Sequence, residues 1–389
     1  ANYFMERLID LAAAEMGIDR VALRRRNLIG PREMPYAAAN RLTYDSGNFP
    51  AVLDRALVLA DYAGFAARKR ESERRGLLRG LAVGCYLEVT AGGAELGKVT
   101  FDDDGRVTIT TGTLDFGQGH ATPFAQVLGQ RLGVPFDAVR LEQNDSDLVH
   151  TGNGTGGSRS IMASGTAIVE AAELVIAKGK TVAAQLLEAA EADIEFADGH
   201  FTIAGTDRSI GIMELARRLP GALDIDHTAK GIPSAFPNGC HIAEVEVDPA
   251  TGEVSVAGYT CVNDFGTVIN PMIVEGQLHG GVTQGIGQAL MEEVRYDDDG
   301  QPITGSLMDY ALPRADDVPS FQVADEPSPA TSNPLGVKGC GEAGCAGSLA
   351  SLANAVLDAL SGYDIRHLDM PLTPERVWRA IRDARAERS

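Results

Sequence analysis

Four glycine-rich segments hold most of the residues in this chain whose type and spacing could do chemistry. The first is Phe116-Gly117-Gln118-Gly119-His120-Ala121-Thr122, where a strand pattern ends and a helical one begins. Glycines there let backbone approach a ligand, and a new helix presents free N–H groups and the positive end of its dipole. Gln118 is both donor and acceptor, as recognition of a heterocycle edge needs. The bland alternative is a plain strand-to-helix turn. The second segment, TGNGTGGSRS at 151–160, also runs into a helix. Glycines followed by Ser158, Arg159 and Ser160 have the composition of a phosphate cradle.

The third segment, VEGQLHGGVTQGIGQ at 274–288, repeats glycine among apolar residues. Glycine costs about 1 kcal/mol inside a helix, so this helix is expected to press closely on a neighbour. Gln277 would then point at a ligand, with His279 and Gln284 given to helix packing. The fourth segment, GVKGCGEAG at 336–344, sets Glu342 among glycines just ahead of an amphipathic helix. Such an acid either compensates a helix dipole or serves as a general base in a confined place. Cys340 and Cys345 flank it without the spacing of a zinc site and read as small buried fillers.

Two nucleotide motifs fail on context. Gly152, Gly154 and Gly157 satisfy GxGxxG, but a dinucleotide site needs a strand directly before the first glycine and a parallel βαβ unit around it. The preceding QNDSDLVH is polar loop. Gly179-Lys180-Thr181 lacks the upstream glycine of a Walker loop.

The elements that must position these segments follow from periodicity. Residues 1–28 place Phe4, Leu8, Leu11 and Ala12 on one helical face, and a second amphipathic helix is expected over about Val52–Lys69, ending in the solvated charged run RKRESERRG. Asp-Gly and related turns between alternating runs predict four hairpins: KVTFDDDGRVTITTG, IEFADGHFTIAG, EVEVDPATGEVSVAGY and VRYDDDGQPITG. Helices are expected over His120–Leu132, Ile161–Leu187 and Ser348–Leu360. The mixture implies an α+β fold: mixed sheets with hairpins and packed helices, in two similar subdomains. The expected divisions are a helical end and linker at 1–75, a first subdomain at 76–230 and a second at 231–389.

Length and composition fit a globular chain of two or three domains: 389 residues, 44% apolar and 23% charged. A net charge of -20 argues against a nucleic-acid or anionic-membrane surface. Five cysteines without a CxxC pair read as reduced cytosolic thiols, and they lack the closely spaced runs that hold iron–sulfur clusters. No apolar run approaches the roughly 18 residues of a membrane span. The N-terminal stretch has no signal-peptide features and starts as an uncapped helix, as though inside a larger architecture.

These segments, in order and in register, resemble the molybdenum-cofactor-binding large subunit of the xanthine dehydrogenase/aldehyde oxidase family, including its carbon monoxide dehydrogenase-like bacterial members. The matching phrases run from ERLIDLAAAEMGID and LRRRNLI through FGQGHATPFAQVLGQRLGV, TGNGTGGSRS, FPNGCHIAEVEVDPATGEV, NDFGTVINPMIVEGQLHGGVTQGIGQAL, TGSLMDYALPRADDVP and SNPLGVKGCGEAG to HLDMPLTPERVW. They correspond to the C-terminal half of that subunit.

The resemblance implies a molybdopterin cytosine dinucleotide held by Gly117, Gln118, Gly119, His120 and Thr122, by Gly157, Ser158, Arg159 and Ser160, by Gln277, and by Lys338, Gly339 and Gly341. Lys338 would act structurally or as a cation behind the site, and no side chain is assigned as a metal ligand. Glu342 would be the base of an oxidative hydroxylation that takes its oxygen from water. The resemblance further implies, as partners, an N-terminal half of the subunit, an iron–sulfur (2Fe-2S) small subunit and an FAD medium subunit. A small-molecule substrate, cytoplasmic placement, and no nucleic-acid or membrane partner complete the expectation. The alternatives are a non-catalytic structural or assembly paralogue and an NAD-dependent dehydrogenase. The Cys340 and Cys345 positions depart from the aliphatic or small hydroxyl residues usual in the family.

Overall fold

The computed structural model describes residues 1–388. Its centre is a four-stranded sheet in the order Phe321–Asp325, Val254–Asp264, Asn238–Val247, Leu78–Leu87. The last three pair antiparallel, and Phe321–Asp325 joins parallel to Val254–Asp264. Buried Val245, Val247, Cys261, Val282, Ile286, Leu352 and Val356 join this sheet to the helices Pro271–Leu290 and Ala343–Ala359. Leu81, Val83, Ile242 and Val262 face a smaller core with Val52, Leu53 and Ala56 of the helix Phe49–Leu59. A second core joins the sheet Lys98–Phe101, Val107–Thr110, Val139–Glu142 to the helices Ala121–Leu132 and Ser160–Leu187 and to a three-stranded sheet over 194–211.

Hairpins, helices and a mixed sheet make this an α+β fold, as expected. The division at 230/231 is crossed, however. Leu78–Leu87 lies before it in sequence but is bonded along its length to Asn238–Val247 beyond it. Helices cover both faces of this apolar ten-residue strand, and a pattern of local turns cannot reveal its long-range partner.

Three of the four expected hairpins form. The fourth keeps only an isolated bridge between Tyr296 and Pro302; proline has no N–H to give a ladder, and the segment 295–303 is exposed. The helix expected over 52–69 breaks at Asp61, whose φ of 44° is left-handed. Its charged run is less solvated than expected. Arg68 and Arg75 reach the sheet, Arg68 Nε lying 2.9 Å from Glu244 and Arg75 pairing with Glu246.

The N-terminal helix Asn2–Met16 reverses its expected face. Phe4 and Leu8 are 69% and 59% exposed, whereas Glu6 and Arg7 are buried. Both charges are satisfied: Arg24 Nη2 lies 2.6 Å from Glu6, and Arg7 Nη1 donates to Asn354 at 2.5 Å. Among the described residues, one helix, Ser160–Leu187, is long and apolar enough to cross a membrane by length and composition; 61% of its most apolar 18-residue window is buried in the protein, as in a core helix.

Two glycine contacts fix the helix that carries Glu342. A Cβ on Gly344 would stand 2.7 Å from Val282 N and 2.8 Å from Gly281 C, and one on Gly285 would collide with Ser348. The glycines of 274–288 are therefore a packing seam. His279 belongs to the same packing, edge-on to Phe321 at 5.3 Å. The seam presses the helix bearing Gln277 against the helix that begins after Glu342.

Candidate functional site

A cleft of about 240 Å³ lies where the loop 155–160, the start of Ala121–Leu132, the helix Pro271–Leu290 and the loop 340–342 meet. Of the residues expected from sequence, Gln118, His120, Gly157, Ser158, Arg159, Ser160, Gln277, Gly341 and Glu342 line it. Thr155, Gly156, Ile273 and Phe124, not singled out from sequence, line it as well. Thr122, Gly117, Gly119, Lys338 and Gly339 are not in the lining, although Gly119 sits behind Ile273.

Ser158 joins the second and fourth segments. Its Oγ accepts from Glu342 N at 3.0 Å and donates to Glu342 Oε2 at 3.3 Å. Its φ of 51° is left-handed, a strained conformation for a serine. Both flanks hold it there. Ala91 N donates to Gly157 O at 2.9 Å, and Gly339 comes so close that a Cβ would collide with the Ser158 carbonyl. Gly339 thus serves loop-to-loop contact and does not face the cleft.

Glu342 is the residue before the helix Ala343–Ala359, and no side chain caps that helix. A negative charge there is stabilised by the helix dipole. Its side chain is exposed, not confined as the sequence reading supposed.

The first segment is built differently from the expected open cradle. Asp115 accepts from Gly117 N at 2.7 Å, His120 N at 2.8 Å and Gly119 N at 3.3 Å, and Gln118 accepts from Phe116 N. Burial opposes the charge on Asp115, but these three N–H groups and His120 outweigh it and hold the carboxyl below its ordinary range. The backbone donors of this loop therefore serve Asp115 first. His120 is buried, stacks on Phe124 at 5.3 Å and has its titration lowered by that burial, so its ring is neutral at pH 7.

Two cations expected at the site are already paired. Arg159, 3% exposed, donates at 2.9 Å both to Glu95 Oε2 and to Ala94 O. Lys338 Nζ lies 2.6 Å from Asp264 Oδ2, both side chains being 0% exposed. These pairs brace the two loops from behind, and Lys338 lies outside the cleft. Within the GxGxxG string, Gly152 is taken up by packing: it and Gly112 touch backbone to backbone, leaving no room for a Cβ on either.

What remains for an anion is the N-terminus of the 28-residue helix Ser160–Leu187, which has no side-chain cap. The Ser160 hydroxyl stands beside it; that of Thr155, 3.4 Å away, is already donated to Leu114 O at 2.6 Å. A Cβ on Gly156 would meet nothing within 4 Å, so a ligand can approach that backbone closely. The amides of Gln118 and Gln277 add paired donor and acceptor groups. This donor set fits a group with a polar ring edge and phosphates.

One acid of the site was not found from sequence. Glu88 follows the strand Leu78–Leu87, and neither of its sealed carboxylate oxygens has a hydrogen-bond partner. Burial, above all, pushes its carboxyl up to about 7; the nearby Ser158 hydroxyl lowers it and the Glu342 carboxylate raises it further. A lone Glu in YLEVTAGG carries no local signal; only the folded chain brings it to Glu342.

A family model described as a molybdopterin cofactor-binding domain matches residues 55–319. The chain is 32% identical to the carbon monoxide dehydrogenase large chain of Hydrogenophaga pseudoflava, over 98% of this chain and 51% of that one. It is 36% identical to the nicotine 6-hydroxylase large subunit of Paenarthrobacter nicotinovorans, over 97% of this chain and 49% of that one. Among solved structures, the quinoline 2-oxidoreductase from Pseudomonas putida 86 superposes with a TM-score of 0.89 at 34% identity, over 98% of this chain and 52% of that one. The chain spans about half the length of the curated relatives it matches.

Proposed function

This chain belongs to the molybdopterin cofactor-binding domain family, and on that premise we propose that it is the base-carrying, cofactor-binding portion of a molybdenum hydroxylase. The observation that carries the reading is the bond between Ser158 and Glu342, which brings the glycine-rich anion loop and the expected base onto one cleft with Gln118 and Gln277.

We infer that the group is the cytosine dinucleotide form. Ser160 and the first N–H groups of Ser160–Leu187 would hold its phosphates, and Gln118 and Gln277 would meet the pterin edge. When bound, the pterin and its molybdenum supply the two-electron redox chemistry and the activation of water. Glu342 accepts the proton released as water's oxygen is transferred to an aldehyde, an N-heterocycle or a CO-like small molecule. Ser158 fixes the Glu342 main chain and one carboxylate oxygen. His120, neutral and stacked, keeps the cleft wall uncharged beside Gln118.

A cleft of about 240 Å³ is below the roughly 300–1,000 Å³ that encloses a drug-sized ligand. It would cover part of a pterin dinucleotide, and we assign the remaining wall to the N-terminal half of the subunit. A 2Fe-2S small subunit and an FAD medium subunit would carry electrons away. The five cysteines are free, which supports a reducing, cytoplasmic setting.

The test is Glu342→Gln in the complex isolated with its natural partner chains. Molybdenum content should stay stoichiometric while turnover falls by about 10²–10⁴-fold, the usual contribution of a general base. Undiminished turnover, or wild-type complex without molybdenum, would reject the reading.

A further inference from the structure

Glu88 has no part in the function proposed above, yet its placement is fixed from three sides. Glu88 N donates to Pro237 O at 2.9 Å, and Thr90 N donates to Ala235 O at 2.9 Å, so the segment 88–90 is tied to 235–237. Ala91 N ties the same segment to Gly157 O. The Glu88 side chain then lies beside the Ser158 hydroxyl and the Glu342 carboxylate, with both of its oxygens shut off from solvent.

A buried ionised carboxylate requires a cation or several donors; without them the group takes up a proton instead. The groups around Glu88 supply neither. They are the Tyr86 hydroxyl on its own strand, the Cys340 thiol and Glu342 carboxylate on the facing loop, and the Ser158 hydroxyl. Tyr86 and Cys340 are themselves neutral at pH 7, burial pushing Cys340 up to about 12 and Tyr86 up as well. The Ser158 hydroxyl is shared with Glu342, since its Oγ already accepts from Glu342 N. Among the described residues, Glu342, exposed and bonded through its side chain to Ser158, stands beside Glu88 as an acceptor for the hydrogen bond of a protonated Glu88.

We propose that Glu88 carries a proton and donates it in a hydrogen bond to Glu342, as the positioning residue that orients the Glu342 carboxylate in the cleft. Protonated Glu88 donates its O–H to Glu342, while Ser158 steadies the other side of the pair. The exposed carboxylate is thereby kept in one orientation without a cation, which would weaken it as a base. Deprotonation of Glu88 removes that donor and sets two like charges side by side. The inference rests on Glu342 being the base only for its catalytic meaning; the hydrogen bond is a property of this chain alone.

The test is an infrared pH titration of the purified, cofactor-free chain, following the carbonyl stretch of protonated carboxylic acid. Wild type should keep one such band near pH 7 that disappears at alkaline pH. Glu88→Gln should lose it. Glu342→Gln, at an exposed position where folding is not at stake, should keep the band and move its midpoint to lower pH, because the like charge is gone. A chain without the band at neutral pH, or a midpoint unmoved by Glu342→Gln, overturns the pair. Turnover indifferent to Glu342→Gln would instead overturn the functional reading and leave the infrared result standing.

Discussion

Replacing Lys338 by Met asks whether that lysine braces the fold or serves the ligand. Its Nζ lies 2.6 Å from Asp264 Oδ2 and 3.3 Å from Ser46 O, in a place where neither charged side chain sees solvent. Removing one partner of a buried pair costs about 3–5 kcal/mol, because the other charge is left uncompensated. Asp264 retains three donors: Gly266 N and Ser328 N at 2.9 Å, and Asn238 Nδ2 at 3.0 Å. These share the stranded charge, so the loss should fall at the lower end, about 3 kcal/mol. Adding Asp264→Asn removes the charge but keeps an oxygen for the two backbone donors, and should recover about half of that loss. Urea denaturation of wild type and the two variants reads both numbers. A loss below about 1 kcal/mol for Lys338→Met, or a double variant no more stable than the single, would refute the reasoning. Since Lys338 stands outside the cleft, the double variant should also retain cofactor in the assembled complex.

Two further outcomes follow from packing and burial. Gly344→Ala should destabilise by about 1–2 kcal/mol in denaturant unfolding, since the helix-propensity gain of up to about 1 kcal/mol is outweighed by a methyl forced to 2.7–2.8 Å from the backbone of Gly281–Val282; a stabilised variant would contradict the seam. His241 is fully buried against Tyr259 and Asn263, and burial lowers its titration to about 4. Between pH 6.5 and 4 the unfolded chain binds the proton that the folded one refuses, so stability falls as pH drops. The loss approaches about 3 kcal/mol at the acid end and should be absent from the pH–stability profile of His241→Gln.

Sequence pattern was most informative where structure is local. Asp-Gly turns located two hairpins and the DPATG turn a third, and glycines at 281 and 285 announced a helix pressed against another. The fourth hairpin failed because Pro302 interrupts its ladder and no core lies beneath it. The N-terminal helix shows the limit of apolar periodicity. Phe4 and Leu8 point outward because Glu6 and Arg7 find buried partners in Arg24 and Asn354, hundreds of positions away for the latter. At the site, residue types identified which loops meet, but not which groups within them are free. Arg159 read as a cation for a ligand and Lys338 as structural or a cation behind the site, yet the acid each faces, Glu95 or Asp264, is one that only the folded chain delivers. Asp115 was within reach of sequence reasoning, since an Asp just ahead of a Gly-rich turn accepts from backbone two residues on. Glu88 was not, because nothing in its neighbourhood distinguishes it from any strand-end glutamate.

The central claim is that the cleft between the 155–160 loop and Glu342 receives the molybdopterin nucleotide. Gly156 allows the cleanest test: a side chain there meets no protein atom within 4 Å of its Cβ and enters the cleft directly. Molybdenum and cytidine nucleotide should be counted per chain in the natural complex carrying Gly156→Leu, alongside its unfolding midpoint. The account predicts an unchanged midpoint with cofactor content falling well below stoichiometry. A complex that keeps both molybdenum and nucleotide at wild-type levels would contradict it.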